Sequence, residues 1–239
     1  MNVRAIRTNV FREGDSLAAF IREHVPKVKN GSVIAVTSKI VALSEGRVAD
    51  AKDKERLIKK ESKWTLRTHK EWWWTEKNGA LLVNAGIDES NADGKLVLLP
   101  RDSFKTAEAL RKWLQKEYRI KKIGVIITDS RISPMRAGVT GLAVGYAGFR
   151  GVRDYRGKKD LFGRKLKVTM TDIADSLATA ATLVMGEGAE RQPIAIIEDA
   201  PVEFVDGFDR LTARKREVQI PAKDDMYMSL FRNKRLKQE

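Results

Sequence analysis

A short run of β-branched residues, Val125-Ile126-Ile127, follows Gly124 and breaks abruptly into Thr128-Asp129-Ser130. A compact apolar run with branched side chains, bounded by turn-forming residues, reads as a strand buried in a sheet. The sudden change puts a carboxylate and hydroxyls at the carboxyl end of a core strand, the edge where open α/β sheets place ligands. Asp129 and Ser130 offer hard oxygens, suited to Mg²⁺ or Mn²⁺ held beside phosphates. The same residues also suit an ordinary strand followed by an Asp/Ser helix cap.

The switch recurs elsewhere. Ser32–Thr37 reads as a strand and runs directly into Ser38-Lys39-Ile40-Val41, placing Ser38 and Lys39 at a second strand end. Leu81-Leu82-Val83 ends in Asn84-Ala85-Gly86-Ile87-Asp88, followed by Ser90-Asn91. Further strands are expected at Val3–Thr8, Leu96–Leu99 and Pro193–Ile197. Helices are expected after Asp15-Ser16, across the charged stretch 50–63, after Asp102-Ser103, and from Ile173 to Met185. Thr140–Gly148 is rich in glycine and small residues. Strands and helices are mixed along the chain with no repeat and no clean boundary. The expected class is therefore α+β, with mixed sheets and flanking helices, and residues 1–239 form one domain or two intertwined subdomains without a clear boundary.

Composition narrows the chemistry. With 239 residues, 42% of them hydrophobic, the chain can bury a substantial core. It has no cysteine and only two histidines, His24 and His69. Disulfides, thiolate metal sites, cysteine nucleophiles and three-histidine zinc sites are excluded. Carboxylates, hydroxyls, amides and cations remain. No apolar run is long enough to span a membrane, and the N-terminus lacks a signal-like apolar segment, so a cytoplasmic location is expected. The net charge of +14 fits an anionic partner. The basic residues are spread among acids, the densest terminal run being Arg232, Lys234, Arg235 and Lys237. Without a nucleic-acid-binding motif beside them, they read mainly as a solvated surface.

Three strand or loop ends deliver oxygen ligands: Asp88, Asp129 with Ser130, and the loop Met185-Gly186-Glu187-Gly188. Such acids, far apart in sequence, can converge on a pair of divalent ions that neutralise a triphosphate. Lys39 adds a point charge for a phosphate. Gly186 and Gly188 allow backbone N–H groups to approach one closely. The Walker Gly-x-x-x-x-Gly-Lys-Ser/Thr pattern is absent. Each acid taken singly also suits a solvated or capping role.

Several short segments together resemble one family. They are Thr37–Val41 with Glu45-Gly46-Arg47, Asn84–Asp88 with Ser90-Asn91, and Ile126–Ser130. Arg136 with Gly138, Asp154–Gly157 with Asp160, Gly163-Arg164 and Val184–Glu187 complete the set. In order and spacing they are similar to the coenzyme F420-0:L-glutamate ligases, or gamma-glutamyl ligases. The resemblance implies a two-part α+β subunit forming an intertwined homodimer. It implies GTP-dependent amide formation between a substrate carboxylate and L-glutamate, with two Mg²⁺ or Mn²⁺ ions. On that mapping Asp88 and Asp129 look like ligands of one metal at the catalytic centre, Ser130 and Glu187 of the other. Ser38, Lys39, Asn91 and the loop from Met185 to Gln192, with Gly186 and Gly188, look like nucleotide contacts. The partners implied are GTP, L-glutamate and an anionic small-molecule acceptor. Membrane and nucleic acid are not expected.

The chain departs from the family pattern at Arg131–Arg136, where a segment close to Phe-Gly-Arg-Pro-Trp-Arg is usual, and at Leu43, where Lys is usual. Arg7-Thr8-Asn9-Val10 stands in place of a glycine/proline-containing nucleotide loop. These changes leave the acceptor open: the deazaflavin precursor, or another such as a folate. A non-catalytic nucleotide- or anion-binding descendant is the reading from a different class. Arg136, Arg153, Arg156 and Arg164 either bind substrate anions or pair with Asp154 and Asp160. Trp72 and Trp74 offer one face of an extended segment and Trp73 the other, for ring stacking or for interface packing.

Overall fold

The computed structural model describes residues 1–68, 71–206 and 217–229. His69 and the basic run from Arg232 to Lys237 lie outside the described residues. In chain order the elements are Asn2–Ile6 (β1), Leu17–His24 (α1), Ser32–Thr37 (β2), Ser38–Ser44 (α2) and Val48–Asp50 (β3). Next come Lys54–Glu61 (α3), Trp64–Arg67 (β4), Trp73–Lys77 (β5), Ala80–Val83 (β6) and Lys95–Val97 (β7). Ser103–Glu117 (α4), Ile123–Ile132 (β8), Val139–Ala147 (β9), Val152–Asp154 (β10), Met170–Asp172 (β11), Ile173–Met185 (α5) and Ile194–Glu198 (β12) follow. The expected α+β class is what the chain adopts.

Five strands form the central sheet in the order β1-β12-β2-β8-β9. Only β2 and β8 run parallel; the other pairs are antiparallel. The near-continuous apolar runs of β2 and β8 reflect burial on both faces. Ile34, Val36, Val125 and Ile127 pack with Phe20, Ile40, Leu110 and Leu114, from α1, α2 and α4. Val33, Ala35 and Ile126 face the other way, onto Ala174, Leu177, Ala178 and Ala181 of α5. The period-2 alternation of a strand thus splits the core into two layers. The small-residue segment 140–148 is strand β9, lying tight against α5. A Cβ at Gly141 would sit 2.4 Å from the Ala178 carbonyl, so the approach needs glycine.

Caps agree with the sequence. Ser16 accepts a hydrogen bond from the Ala19 amide, Asp102 from Lys105 and Asp172 from Asp175. A second, smaller layer holds the antiparallel sheet β4-β5-β6, the β3–β7 pair and α3. Its core is Leu57, Ile58, Ala85, Ile87, Leu96 and Leu98. Glu61 ties this layer together, accepting from Arg47 and from the buried Lys77 at 2.6 Å each. Trp73 packs on this core and lies under the Arg67 and Lys59 cations, while Trp72 is exposed.

One expectation fails in an informative way. Asp129 and Ser130 neither end the strand nor cap a helix: β8 continues through them to Ile132. The pairing with β9 slips between Ile127 and Thr128, leaving Val144 unpaired between Gly145 and Ala143. The extra residue lies on β9, so β8 keeps its alternation, and Asp129 falls on the face of Val125 and Ile127.

Candidate active site

The parallel pairing of β2 and β8 is where the site begins. Thr37 lies opposite Thr128, so the next residues of the two strands, Ser38 and Asp129, emerge side by side. Ser38 Oγ donates to Asp129 Oδ1 at 3.3 Å. Both line a cleft of about 440 Å³, within the usual range for small-molecule sites. α2 contributes Ser38, Lys39, Ile40 and Leu43 to its wall; the 86–91 segment contributes Gly86, Asp88, Ser90 and Asn91; β8 contributes Thr128, Asp129 and Ser130. The loop from Met185 to Pro193 closes another side, and Thr8–Phe11 a further one. Every residue singled out from the sequence as metal ligand or nucleotide contact therefore faces this one cleft. Trp72, Trp73 and Trp74 do not.

Asp88 is delivered by an unusual turn. Asn84, Ala85 and Gly86 have φ values of 51°, 58° and 69°, three left-handed residues in succession. The turn is pinned by the Trp73 amide donating to Asn84 Oδ1 at 3.0 Å and the Ala85 amide donating to Thr75 Oγ1 at 2.9 Å. Ala85 adopts this conformation at a cost of ~1–2 kcal/mol, the kind of local strain that fixes a functional loop. The Asp88 carboxylate then accepts the Ser90 amide at 2.7 Å and the Ser90 hydroxyl at 2.9 Å, and pairs with Lys39 Nζ at 2.7 Å. Burial pushes its pKa up, but the Lys39 and Ser90 bonds outweigh this and hold it below the ordinary range.

Asp129 behaves oppositely. It keeps a window onto the cleft yet is surrounded by protein, and burial drives its pKa up to about 7. Hydrogen bonds from the Ser130 amide and Ser38 oppose the rise, while the charges of Asp88 and Glu187 add to it. Glu187 is also raised, first by burial, and is hydrogen-bonded to Ser130. Asn91 Nδ2 donates to the Gly188 carbonyl at 3.2 Å, linking the 88–91 turn to the loop after α5.

In the free protein this loop satisfies its own amides. The Gly186 amide closes α5 by donating to the Thr182 carbonyl, and the Gly188 amide donates to Glu190 Oε2 at 2.8 Å. Neither N–H is directed at an open phosphate position. Glu190 fills the curve of the loop; a Cβ at Gly186 would lie 2.5 Å from its carboxyl carbon. The sequence left two contacts unread, that of Glu190 with the Gly188 amide and that of Ser90 with Lys39. The Asp-x-Ser spacing of 88–90, an Asx-turn signature, was the available signal for the second.

The donor set of Asp88, Asp129, Glu187 and the Ser130 hydroxyl is entirely hard oxygen, which fits Mg²⁺ or Mn²⁺ and not a soft metal. Burial is the main reason Asp129 is raised, and the charges of Asp88 and Glu187 add to it. Among the described residues no three acids or histidines are close enough to form a ready-made metal cage.

The hairpin arginines have a plainer role. Arg156 clasps Asp154 with contacts of 2.6 and 3.0 Å, and Arg153 donates to the Pro201 carbonyl. Arg131, in the segment that departs from the family pattern, reaches back to Asp175 at 3.0 Å.

Comparison with known proteins gives the family. Residues 5–63 and 52–199 match the model of the F420-0:Gamma-glutamyl ligase family. The chain belongs to that family. A relative named Coenzyme F420:L-glutamate ligase from Methanococcus maripaludis (strain C6) is 42% identical over 69% of this chain and 66% of its own length. A relative of the same name from Methanocaldococcus jannaschii is 34% identical, covering 92% of this chain and 96% of its own. A third, from Archaeoglobus fulgidus, is 35% identical over 79% and 83%. These gamma-glutamyl ligase relatives carry the name of an amide-forming ligase, in agreement with the enzyme class expected from the sequence.

Proposed function

We propose that this protein is a GTP- and divalent-metal-dependent gamma-glutamyl ligase, joining L-glutamate to a carboxylate of an anionic, F420-like acceptor. The observation that carries the reading is the convergence of Asp88, Asp129, Ser130 and Glu187 with Ser38 and Lys39 in one cleft. A site built only to hold an anion gains nothing from several acids on its wall.

A carboxylate is a poor acyl donor. It becomes one when its oxygen attacks the γ-phosphorus of GTP and GDP leaves, giving an acyl phosphate. The glutamate amine then attacks the acyl carbon, phosphate departs with the C–O bonding pair, and the amine sheds a proton. Asp88 and Asp129 would hold one ion, Ser130 and Glu187 the other. When bound, these ions would supply Lewis-acid polarisation and offset the charge gathered around the transferring phosphoryl group. The chain's own contribution is positioning. Lys39 offers a point charge to a phosphate, Ser38 orients Asp129, and Asn91 holds the 88–91 turn against the loop after α5. Ile40, Leu43, Val10 and Phe11 give the cleft an apolar wall that sheds water from one side.

A homodimer belongs to the same reading. Leu161 and Phe162, at 98% and 94% exposure, tip the hairpin between β10 and β11, and Val168 and Leu183 are exposed at 81% each. Apolar side chains so presented suit a second copy. No helix among the described residues is long and apolar enough to cross a membrane.

A thermal-shift panel of GTP, ATP and GDP, each with Mg²⁺ or Mn²⁺, tests the reading, since a ligand of the native state raises the melting temperature. GTP with metal should give the largest rise. No rise with any nucleotide would contradict it.

A further inference from the structure

Lys39 is out of place in a cluster of metal-directed acids. Its ammonium has three donors, and all three are used on one turn: Asp88 Oδ2 at 2.7 Å, the Ser90 carbonyl at 2.6 Å and the Ser90 hydroxyl at 3.0 Å. Its charge is also felt at Glu187. In the free protein, one of the carboxylates assigned to a metal is thus already held by an internal cation. A divalent ion approaching Asp88 must displace that ammonium or bear its repulsion.

The ammonium has another place to go. Lys39 follows Ser38 on the cleft wall, and its four-carbon stem lets the charge swing while the backbone stays fixed. A polyphosphate entering the cleft offers it anionic oxygens. Once it turns to them, the Asp88 carboxylate keeps only its Ser90 contacts and is free to take a metal.

We infer that Lys39 is an exchangeable counter-ion that makes metal binding depend on nucleotide binding. It occupies Asp88 in the free protein and releases it when a nucleotide's phosphates arrive. Resting on the metal-dependent reading above, the inference adds an order of binding: metal enters with or after the nucleotide, not before it. By linkage the metal raises nucleotide affinity by the same factor.

The test is Mn²⁺ titration of the full chain, followed by the electron paramagnetic resonance signal of the free ion, in wild type, Lys39→Met and Lys39→Arg. Without nucleotide, Lys39→Met should bind Mn²⁺ about tenfold more tightly than wild type, the scale of one lost close charge contact. Lys39→Arg keeps a cation beside Asp88 and should stay weak, which separates the charge from a general effect of mutation. With GDP added, and Mn²⁺–GDP formation accounted for, wild type should tighten and the gap to Lys39→Met should close. Equal Mn²⁺ affinity of wild type and Lys39→Met without nucleotide, in a protein that does bind Mn²⁺ with GDP, would overturn this inference alone. No Mn²⁺ binding under any condition would overturn both it and the metal-dependent reading.

Discussion

Asp172 and Asp175 face each other across the first turn of α5, where the Asp172 carboxylate caps the helix by accepting the Asp175 amide at 2.9 Å. The cap is good and the charge pairing is poor. Burial, then the neighbouring Asp175 charge, push the Asp172 pKa from the ordinary 3.8 to about 6. Arg131 offsets part of this by pairing with Asp175 at 3.0 Å.

The sign of the pH dependence follows. A carboxyl whose pKa is higher folded than unfolded binds more protons in the native state. Its favourable contribution is complete below pH 3.8 and is lost as pH rises through about 6. Asp172→Asn keeps a strong cap and removes the charge. The variant should match wild type in acid and melt higher than it at pH 7 to 8, the difference opening between roughly pH 4 and 6. Melting temperatures of both proteins across that range check this.

Glu61 holds two cations, Arg47 and Lys77, with Lys77 only 7% exposed. Removing the acid strands a buried ammonium. Glu61→Ala should lose about 3–5 kcal/mol of stability, and Glu61→Ala with Lys77→Met should recover a good part of it. Denaturant unfolding of the two variants decides the point. Equal losses would place the stability elsewhere.

Glu190 occupies the curve of the loop after α5 and takes up the Gly188 amide. It is an internal anion where a phosphate reading had expected free N–H groups. Glu190→Ala should free that amide and lower the negative charge at the cleft, so GDP should bind severalfold more tightly in isothermal titration. Unchanged or weaker binding would show that the loop serves the nucleotide only through its present shape.

The sheet was largely legible in the sequence. The β-branched runs of β2, β8 and β12 are buried on both sides, and such runs can do little else. Helix starts at Ser16, Asp102 and Asp172 carry their own caps, and the end of α5 at Met185 is marked by Gly186. What could not be read was non-local. The slip between Ile127 and Thr128 depends on how β9 pairs, and no residue in β8 announces it. The Lys39–Asp88 contact joins the first turn of α2 to a strained turn about fifty residues later. The Glu190 contact depends on the path the chain takes after Gly186, which glycine leaves open. That Asp88, Asp129 and Glu187 could meet in one cleft was legible because each follows an apolar element that the fold must bury. The detailed pairing was not, because it is decided across the cleft.

The central claim is that the acids gathered beside Ser38 serve nucleotide-dependent ligation. The most direct measurement is glutamate incorporation into an F420-like acceptor with GTP and Mg²⁺ or Mn²⁺, comparing wild type with Asp129→Ala, each with and without a chelator. Wild type should be active and lose activity to the chelator. Asp129→Ala should lose at least ~10³-fold, a few kcal/mol of transition-state stabilisation, while melting within a few degrees of wild type. Full activity in Asp129→Ala, or wild-type ligation that survives the chelator, would contradict the account.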